Sequence, residues 1–239
     1  MKFLRKLLLL FFDIIDEYFH QARIKRFIKK NKIKFNSFID VGAFKGKYTD
    51  LILNMQKQCR IIMFEPQNKY YCLLKEKFKN NNNIEIIKAG LSDKETLLDL
   101  KINKHEITST FSKFNDLNKY LNYKAILFDS NLKNMTANLE KVQVLTLDQV
   151  FEKKKIKGID LIKIDTEGHE YEVIYGAQNA IKNINYILIE FHMDKIYKNY
   201  DPNKINDFLI ENNFICLKKF NFPFTTWEDR LYKNSRFEN

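Results

Sequence analysis

From Phe35 onward the chain alternates short apolar runs with amphipathic helical stretches, and that rhythm most constrains what it can fold into. "FNSFIDVGA" (35–43), "CRIIMFEP" (59–66) and "IEIIKAGLSD" (84–93) read as strands, with the helical segments "KYTDLILNMQKQ" and "NKYYCLLKEKFKNNNN" between them. After an interruption the pattern resumes with "LDQVFEKKK", "IDLIKIDTEG", "HEYEVIYGAQNAIKN", "INYILIEFHM" and "DPNKINDFLIENNF". Such alternation implies βαβ units, hence an α/β fold with a mostly parallel sheet and helices on both faces. The tail "ICLKKFNFPFTTWEDRLYKN" is expected to supply an antiparallel edge strand.

The interruption, about residues 96–147, contains "TLLDLKI", "KAILFD" and "KVQVLTLD". These predict a small β-rich insertion with a hairpin over one edge. It carries the aromatics Phe111, Phe114, Tyr120 and Tyr123, and the tail adds Phe222, Phe224 and Trp227. They read either as exposed faces for stacking on a sugar ring or as small cores of an irregular insertion.

Residues 35–239 form one domain in this reading, preceded by an amphipathic helical segment over 1–34. The apolar run Leu7–Phe12 is too short to span a membrane and is followed by Asp13, Asp16 and Glu17, not by a small-residue cleavage site. The segment reads as a helix packed on the domain or on a second subunit. Its flanking basic residues also suit peripheral contact, through residues 1–30, with the inner face of a membrane. The expected location is cytoplasmic.

A net charge of +11 suggests nucleic acid at first sight, but only six of the 41 basic residues are arginine. Dedicated nucleic-acid surfaces draw on arginine for bidentate contacts, so that partner is not favoured. Cys59, Cys72 and Cys216 are odd in number and in no metal-ligand spacing; they read as buried thiols in a reducing compartment. His20 and His105 stand in no acidic or aromatic context that marks them.

The stretch "DVGAFKG" decides what the first loop holds. A nucleotide-phosphate loop needs Gly-Lys followed by Ser or Thr, and here Tyr48 follows Gly46-Lys47. A dinucleotide loop needs a third glycine that is missing. Gly42 instead allows a sharp turn after the strand, Gly46 a helix start close to a ligand, and Asp40 a negative charge for an ammonium group. Those features fit S-adenosylmethionine, which carries a carboxylate, an ammonium and a sulfonium. Thr49 lies in the first turn of the same helix. Glu65, closing the second strand, can accept both ribose hydroxyls, and Leu91 and Ser92 of "GLSD" stand where an adenine ring would lie.

Asp165, Glu167, His169 and Glu170 then crowd one strand end and the helix start after it. Helix capping accounts for one carboxylate there, not for three with a histidine. Taken with "FEP", "LTLD" and "ILIEFH", in that order and spacing, the stretch from about Ser37 to Phe220 resembles the FkbM family of S-adenosylmethionine-dependent methyltransferases. The D-x-EG-x-E segment is its most specific part.

The resemblance implies a Rossmann-like class I methyltransferase sheet and O-methylation, commonly of a sugar or secondary-metabolite hydroxyl. It places Phe44, where family members often have Asn, against the donor. Glu167 or His169 is the expected base, Asp165 the group that orients the donor methyl or the base, and His192 a second catalytic candidate. Asp165, Glu190 and His192 could also share a divalent cation such as magnesium, although no spacing requires one. The expected partner is a glycan or other acceptor with a free hydroxyl, and the chain could form a homo-oligomer. RNA or protein methylation, and a catalytically silent donor-binding subunit, are the alternatives.

Overall fold

The computed structural model describes residues 15–104, 108–115, 118, 136–223 and 225–237. Phe224, Tyr120, Tyr123, His105 and the segment "KAILFD" lie outside them. The first element is a π-helical turn, Asp16–His20, that runs into α1 (Gln21–Lys30). The chain continues through β1 (Ser37–Val41), α2 (Lys47–Met55), β2 (Arg60–Phe64), α3 (Asn68–Lys77) and β3 (Ile84–Ile87). Next come β4 (Gly90–Leu91), β5 (Thr96–Asn103), β6 (Thr136–Leu145), α4 (Leu147–Lys153) and β7 (Ile159–Ile164). The remainder is α5 (Glu170–Tyr175), β8 (Ile184–His192), α6 (Pro202–Glu211), β9 (Phe214–Asn221) and β10 (Trp227–Asn234).

Seven strands make the main sheet in the order β3-β2-β1-β7-β8-β10-β9. Pairing is parallel from β3 across to β8, and β10 runs antiparallel to both β8 and β9. The antiparallel strand therefore lies one place in from the edge, and β9 closes the sheet. The strand order reverses between β1 and β7, the switch point where open α/β sheets bind ligands beyond their carboxyl ends.

Burial on both faces explains why strands such as "IIMF" and "INYILIEF" read as nearly continuous apolar runs. On one face Ile39, Ile162, Ile164, Ile187 and Ile189 pack with Val173 of α5 and Ile205 and Leu209 of α6. On the other, Phe38, Leu161, Leu188 and Leu231 pack with Ile52 of α2, Leu74 of α3, and Ile24 and Ile28 of α1. Ile24 and Ile28 stand four apart on one helical face, and each contributes roughly 1.5–3 kcal/mol by burial. The N-terminal helix is thus part of the second core layer, with its basic residues turned outward.

The insertion forms a separate three-stranded sheet, β4-β6-β5, in which β5 and β6 make the expected antiparallel pair. "IEIIKAGLSD" does not run as one strand: β3 stays in the main sheet while Gly90 and Leu91 join the insertion. The cysteine reading also needs correction. Cys59 is buried, but Cys72 is exposed on α3 and Cys216 is half-buried on β9, an edge strand.

Candidate active site

The glycine turn after β1 leaves the sheet at the switch point. Gly42 sits at φ +78°, and a Cβ there would lie 2.0 Å from the Asp165 carbonyl oxygen. It therefore brings the ends of β1 and β7 together, with the Asp165 amide donating to the Val41 carbonyl at 3.1 Å. Gly46, at φ +72°, begins α2, and a Cβ there would strike Leu74 and Phe78. Both glycines make room for protein on the side a Cβ would occupy.

Glu65 closes β2 with one carboxylate oxygen accepting from the Phe44 amide of this turn and the other from the Gln67 amide ahead of α3, each at 2.8 Å. Burial raises its carboxyl to about 7 despite those two donors. Lone pairs remain on each oxygen for two ribose hydroxyls. Phe44 adopts φ +48°, a left-handed conformation that Asn tolerates better than an aromatic residue. Its ring packs on Tyr70 of α3 with centroids 4.0 Å apart. Asp40 is buried at the end of β1 and accepts a hydrogen bond from the Thr49 hydroxyl at 2.7 Å. Burial lifts it to about 6, against the pull of Thr49 and Lys163.

The "DTEGHE" segment divides by function. Glu170, fully buried, accepts from the Thr166 amide at 2.9 Å and hydroxyl at 3.1 Å and from the Gly168 amide, so it staples the loop between β7 and α5. His169 stands outside the Glu167 cluster, with its Nδ1 3.6 Å from the Glu172 carboxylate. Its Nε2 lies 2.9 Å from the Ser92 hydroxyl, its ring 5.2 Å from that of Phe111, and burial lowers it to about 4. Ser92 is thereby bound to His169 beside Leu91, on the side where the adenine is expected.

Glu167 points the other way, held at φ +55° with its carboxylate accepting from the Tyr197 hydroxyl at 2.5 Å. It meets Glu190 and His192, two residues apart on one face of β8; one ligand atom from each of the three lies within 4.8 Å of the others. Asp165, the third member expected for a cation, instead pairs with Lys163 at 3.2 Å. Burial opposes charge on His192, but Glu190, with Glu170 and Glu167 behind it, raises it to about 10. Burial and Asp165 push Glu190 well above the usual carboxylate range despite His192.

Segment 108–115 lies over this cluster. Thr110 and Ser112 donate their hydroxyls to the Glu167 and Gly168 carbonyls at 2.5 and 2.6 Å, and Phe114 stacks on Tyr197 at 5.5 Å. Phe111 and Phe114 are therefore packed on His169 and Tyr197 beside the cluster. Phe222 is buried, stacked on Trp227 at 4.4 Å, which favours the small-core reading for that pair.

Sequence reasoning also missed a buried charge row behind the site. His20 is fully buried; its Nε2 lies 2.9 Å from the Asp229 carboxylate and its ring contacts Phe222 and Trp227, so the absence of context inferred for it is overturned. Tyr48 donates to Asp229 at 2.6 Å, and Lys163 Nζ donates to Asp229 at 2.9 Å. The available signal was charge at alternate positions in or just after otherwise apolar strands: Lys163 on β7 with Asp165 just past its end, and Glu190 and His192 on β8.

A reversed-order parallel sheet, a glycine turn at its switch point and an acid closing the neighbouring strand define an open α/β fold of the kind that binds nucleotide-like cofactors at that point. The chain matches the family described as "Methyltransferase FkbM domain" over residues 40–216, and it belongs to that family. It is similar to the hexuronic acid methyltransferase AglP of Haloferax volcanii, at 29% identity over 70 residues, 29% of this chain and 27% of that protein. It is also similar to the 2-O-methyltransferase NoeI of Sinorhizobium fredii, at 20% identity over 169 residues, 69% of this chain and 66% of that one. The chain thus spans about a quarter of the first relative and just under two thirds of the second.

Among solved structures, the proposed rRNA-methylase of Clostridium thermocellum aligns with a TM-score of 0.51 at 11% identity, covering 90% of this chain and 94% of that one. An uncharacterized protein of Listeria monocytogenes aligns at 0.50 with 12% identity, covering 92% and 68%. At such identities the likeness is one of fold. Among the described residues no helix is long and apolar enough to cross a membrane.

Proposed function

We propose that this protein transfers the methyl group of S-adenosylmethionine to a hydroxyl of a sugar in a glycan or glycoconjugate. The observation that carries this reading is the meeting of half-buried Glu167 with buried Glu190 and His192 beyond the carboxyl ends of β7 and β8, beside the expected donor cleft. Two relatives named for methylation of hexuronic acid and at a 2-O position support a carbohydrate acceptor.

Transfer is an in-line displacement. The acceptor oxygen forms a bond to the methyl carbon, the carbon–sulfur bond breaks, and its electron pair stays on sulfur as a neutral thioether. A sugar hydroxyl is a weak acid, so its proton must leave to a positioned base. Glu167 fills that role: it is the half-buried member of the cluster, and the Tyr197 hydroxyl fixes its carboxylate. His192 orients the acceptor oxygen, and Asp165 faces the donor from the end of β7. Glu65, Asp40 and the Gly42–Gly46 turn seat the donor, with Leu91 and Ser92 along its adenine.

Incubation with labelled donor and separately extracted glycans, lipids and RNA tests the assignment. Label on carbohydrate, with little dependence on salt, is expected. Label on RNA that falls steeply with salt would favour the nucleic-acid alternative.

A further inference from the structure

We infer that Glu167, Glu190 and His192 bind one divalent cation, Mg2+ or Mn2+, which holds neighbouring oxygens of the acceptor; the inference rests on reading this cleft as the acceptor site. An octahedral ion with bonds of about 2.1 Å sets adjacent ligands about 3.0 Å apart and opposite ones about 4.2 Å apart. One ligand atom from each of the three side chains falls within 4.8 Å of the others. Glu190 Oε2 and His192 Nε2 are 3.1 Å apart, the separation of an adjacent pair.

A second observation is independent of that spacing. Glu190 and His192 are only 6% and 5% exposed, and among the described residues neither Oε2 nor Nε2 has a hydrogen-bond partner of acceptable geometry, including each other. A buried polar atom left without such a partner costs about 1–3 kcal/mol, so two that face one point call for a ligand at that point. Their ion-pair distance brings them together without aligning them as donor and acceptor.

The surroundings are built to hold ligands in place. Alternation along β8 puts Glu190 and His192 on one face of a rigid strand. Glu167 comes from a loop that Glu170 pins through the amides of Thr166 and Gly168, and the Tyr197 hydroxyl fixes its carboxylate. The Tyr200 hydroxyl accepts from the His192 amide at 3.1 Å, and its ring stands edge-on to the imidazole at 5.4 Å. Such outer contacts orient metal ligands.

Two carboxylates and an imidazole, with no thiolate, select a hard or borderline ion. Three protein ligands leave three octahedral positions, enough for two adjacent sugar oxygens and a water. A carboxylate that binds the ion through one oxygen keeps its second oxygen for a proton.

Calorimetry and electron paramagnetic resonance with Mn2+ alone, on the full chain without donor, test the site. One ion per chain is expected, with affinity at least about tenfold weaker in Glu167→Gln and in Glu190→Gln, in line with loss of a ligand or its support. Asp165→Asn should keep the ion. Each variant is checked for binding of the demethylated donor product; Glu167→Gln, which leaves the buried strands intact, carries the test if Glu190→Gln misfolds. Wild-type protein that binds the donor product but no Mn2+, or Mn2+ binding indifferent to Glu167→Gln, overturns the site and leaves the methyl-transfer reading standing. Mn2+ binding without any donor binding would do the reverse.

Discussion

Replacing Lys163 by Met tests the buried charge row directly. The ammonium donates to Asp229 at 2.9 Å and Asp165 at 3.2 Å and lies 4.7 Å from the centre of the Tyr48 ring. Lys163 and Asp229 are each 1% exposed, so neither charge is solvated in compensation. Removing one partner of such a buried pair costs about 3–5 kcal/mol. His20 and Tyr48 still contact Asp229 in the variant, so the lower end, about 3 kcal/mol, is expected. For a chain of this size that corresponds to a fall in Tm of roughly 6–12 °C.

The pH dependence has a definite sign. Burial alone would raise the Asp229 carboxyl, but Lys163, His20 and Tyr48 together hold it well below the usual carboxylate range. Its contribution is therefore complete above the unfolded value of about 4 and is lost as pH falls further. Urea unfolding followed by circular dichroism should show the gap between wild type and variant narrowing from about pH 7 to about pH 3. In a double-mutant cycle with Asp229→Asn, the two substitutions should couple by about 1–3 kcal/mol. A loss under about 1 kcal/mol for Lys163→Met, or additive single substitutions, would refute the reasoning.

Three further outcomes follow from the same geometry. Donor affinity should rise with pH as Asp40 and Glu65, lifted to about 6 and about 7, ionise; binding about tenfold weaker one unit below the controlling value is expected by calorimetry, and a flat profile from about pH 5.5 to about 8 would contradict it. Gly42→Ala, forced into contact with the Asp165 carbonyl, should lose donor binding at least about tenfold, with any loss of fold read from the melting curve. Cys72 should react with a thiol reagent in the native protein while Cys59, buried and raised to about 12, reacts only on unfolding; equal rates would contradict the burial.

What the sequence made legible was local. Apolar runs ending at Val41, Phe64 and Ile164 marked the parallel strands, and the glycine spacing with Glu65 marked the end proposed for the donor. The D-x-EG-x-E segment located the loop, but its residue types could not say that His169 turns to Ser92 while Glu167 turns to His192. That choice depends on loop dihedrals and on segment 108–115, which grips the loop from outside. His20 escaped notice because its partner Asp229 lies 209 residues away, a contact made by packing α1 against the end of the chain. The motif also gave no hint that Phe44 and Gly46 pack against the next helix, on Tyr70, Leu74 and Phe78.

The central claim is that the turn after β1 and the acid closing β2 seat a sulfonium nucleoside. Isothermal calorimetry with S-adenosylmethionine and with its demethylated product, on the wild-type chain and on Glu65→Ala, measures this most directly. The account predicts one site for each ligand and a marked loss of affinity for both in the variant. No heat and no thermal stabilisation from either ligand, or equal binding by Glu65→Ala, would contradict it.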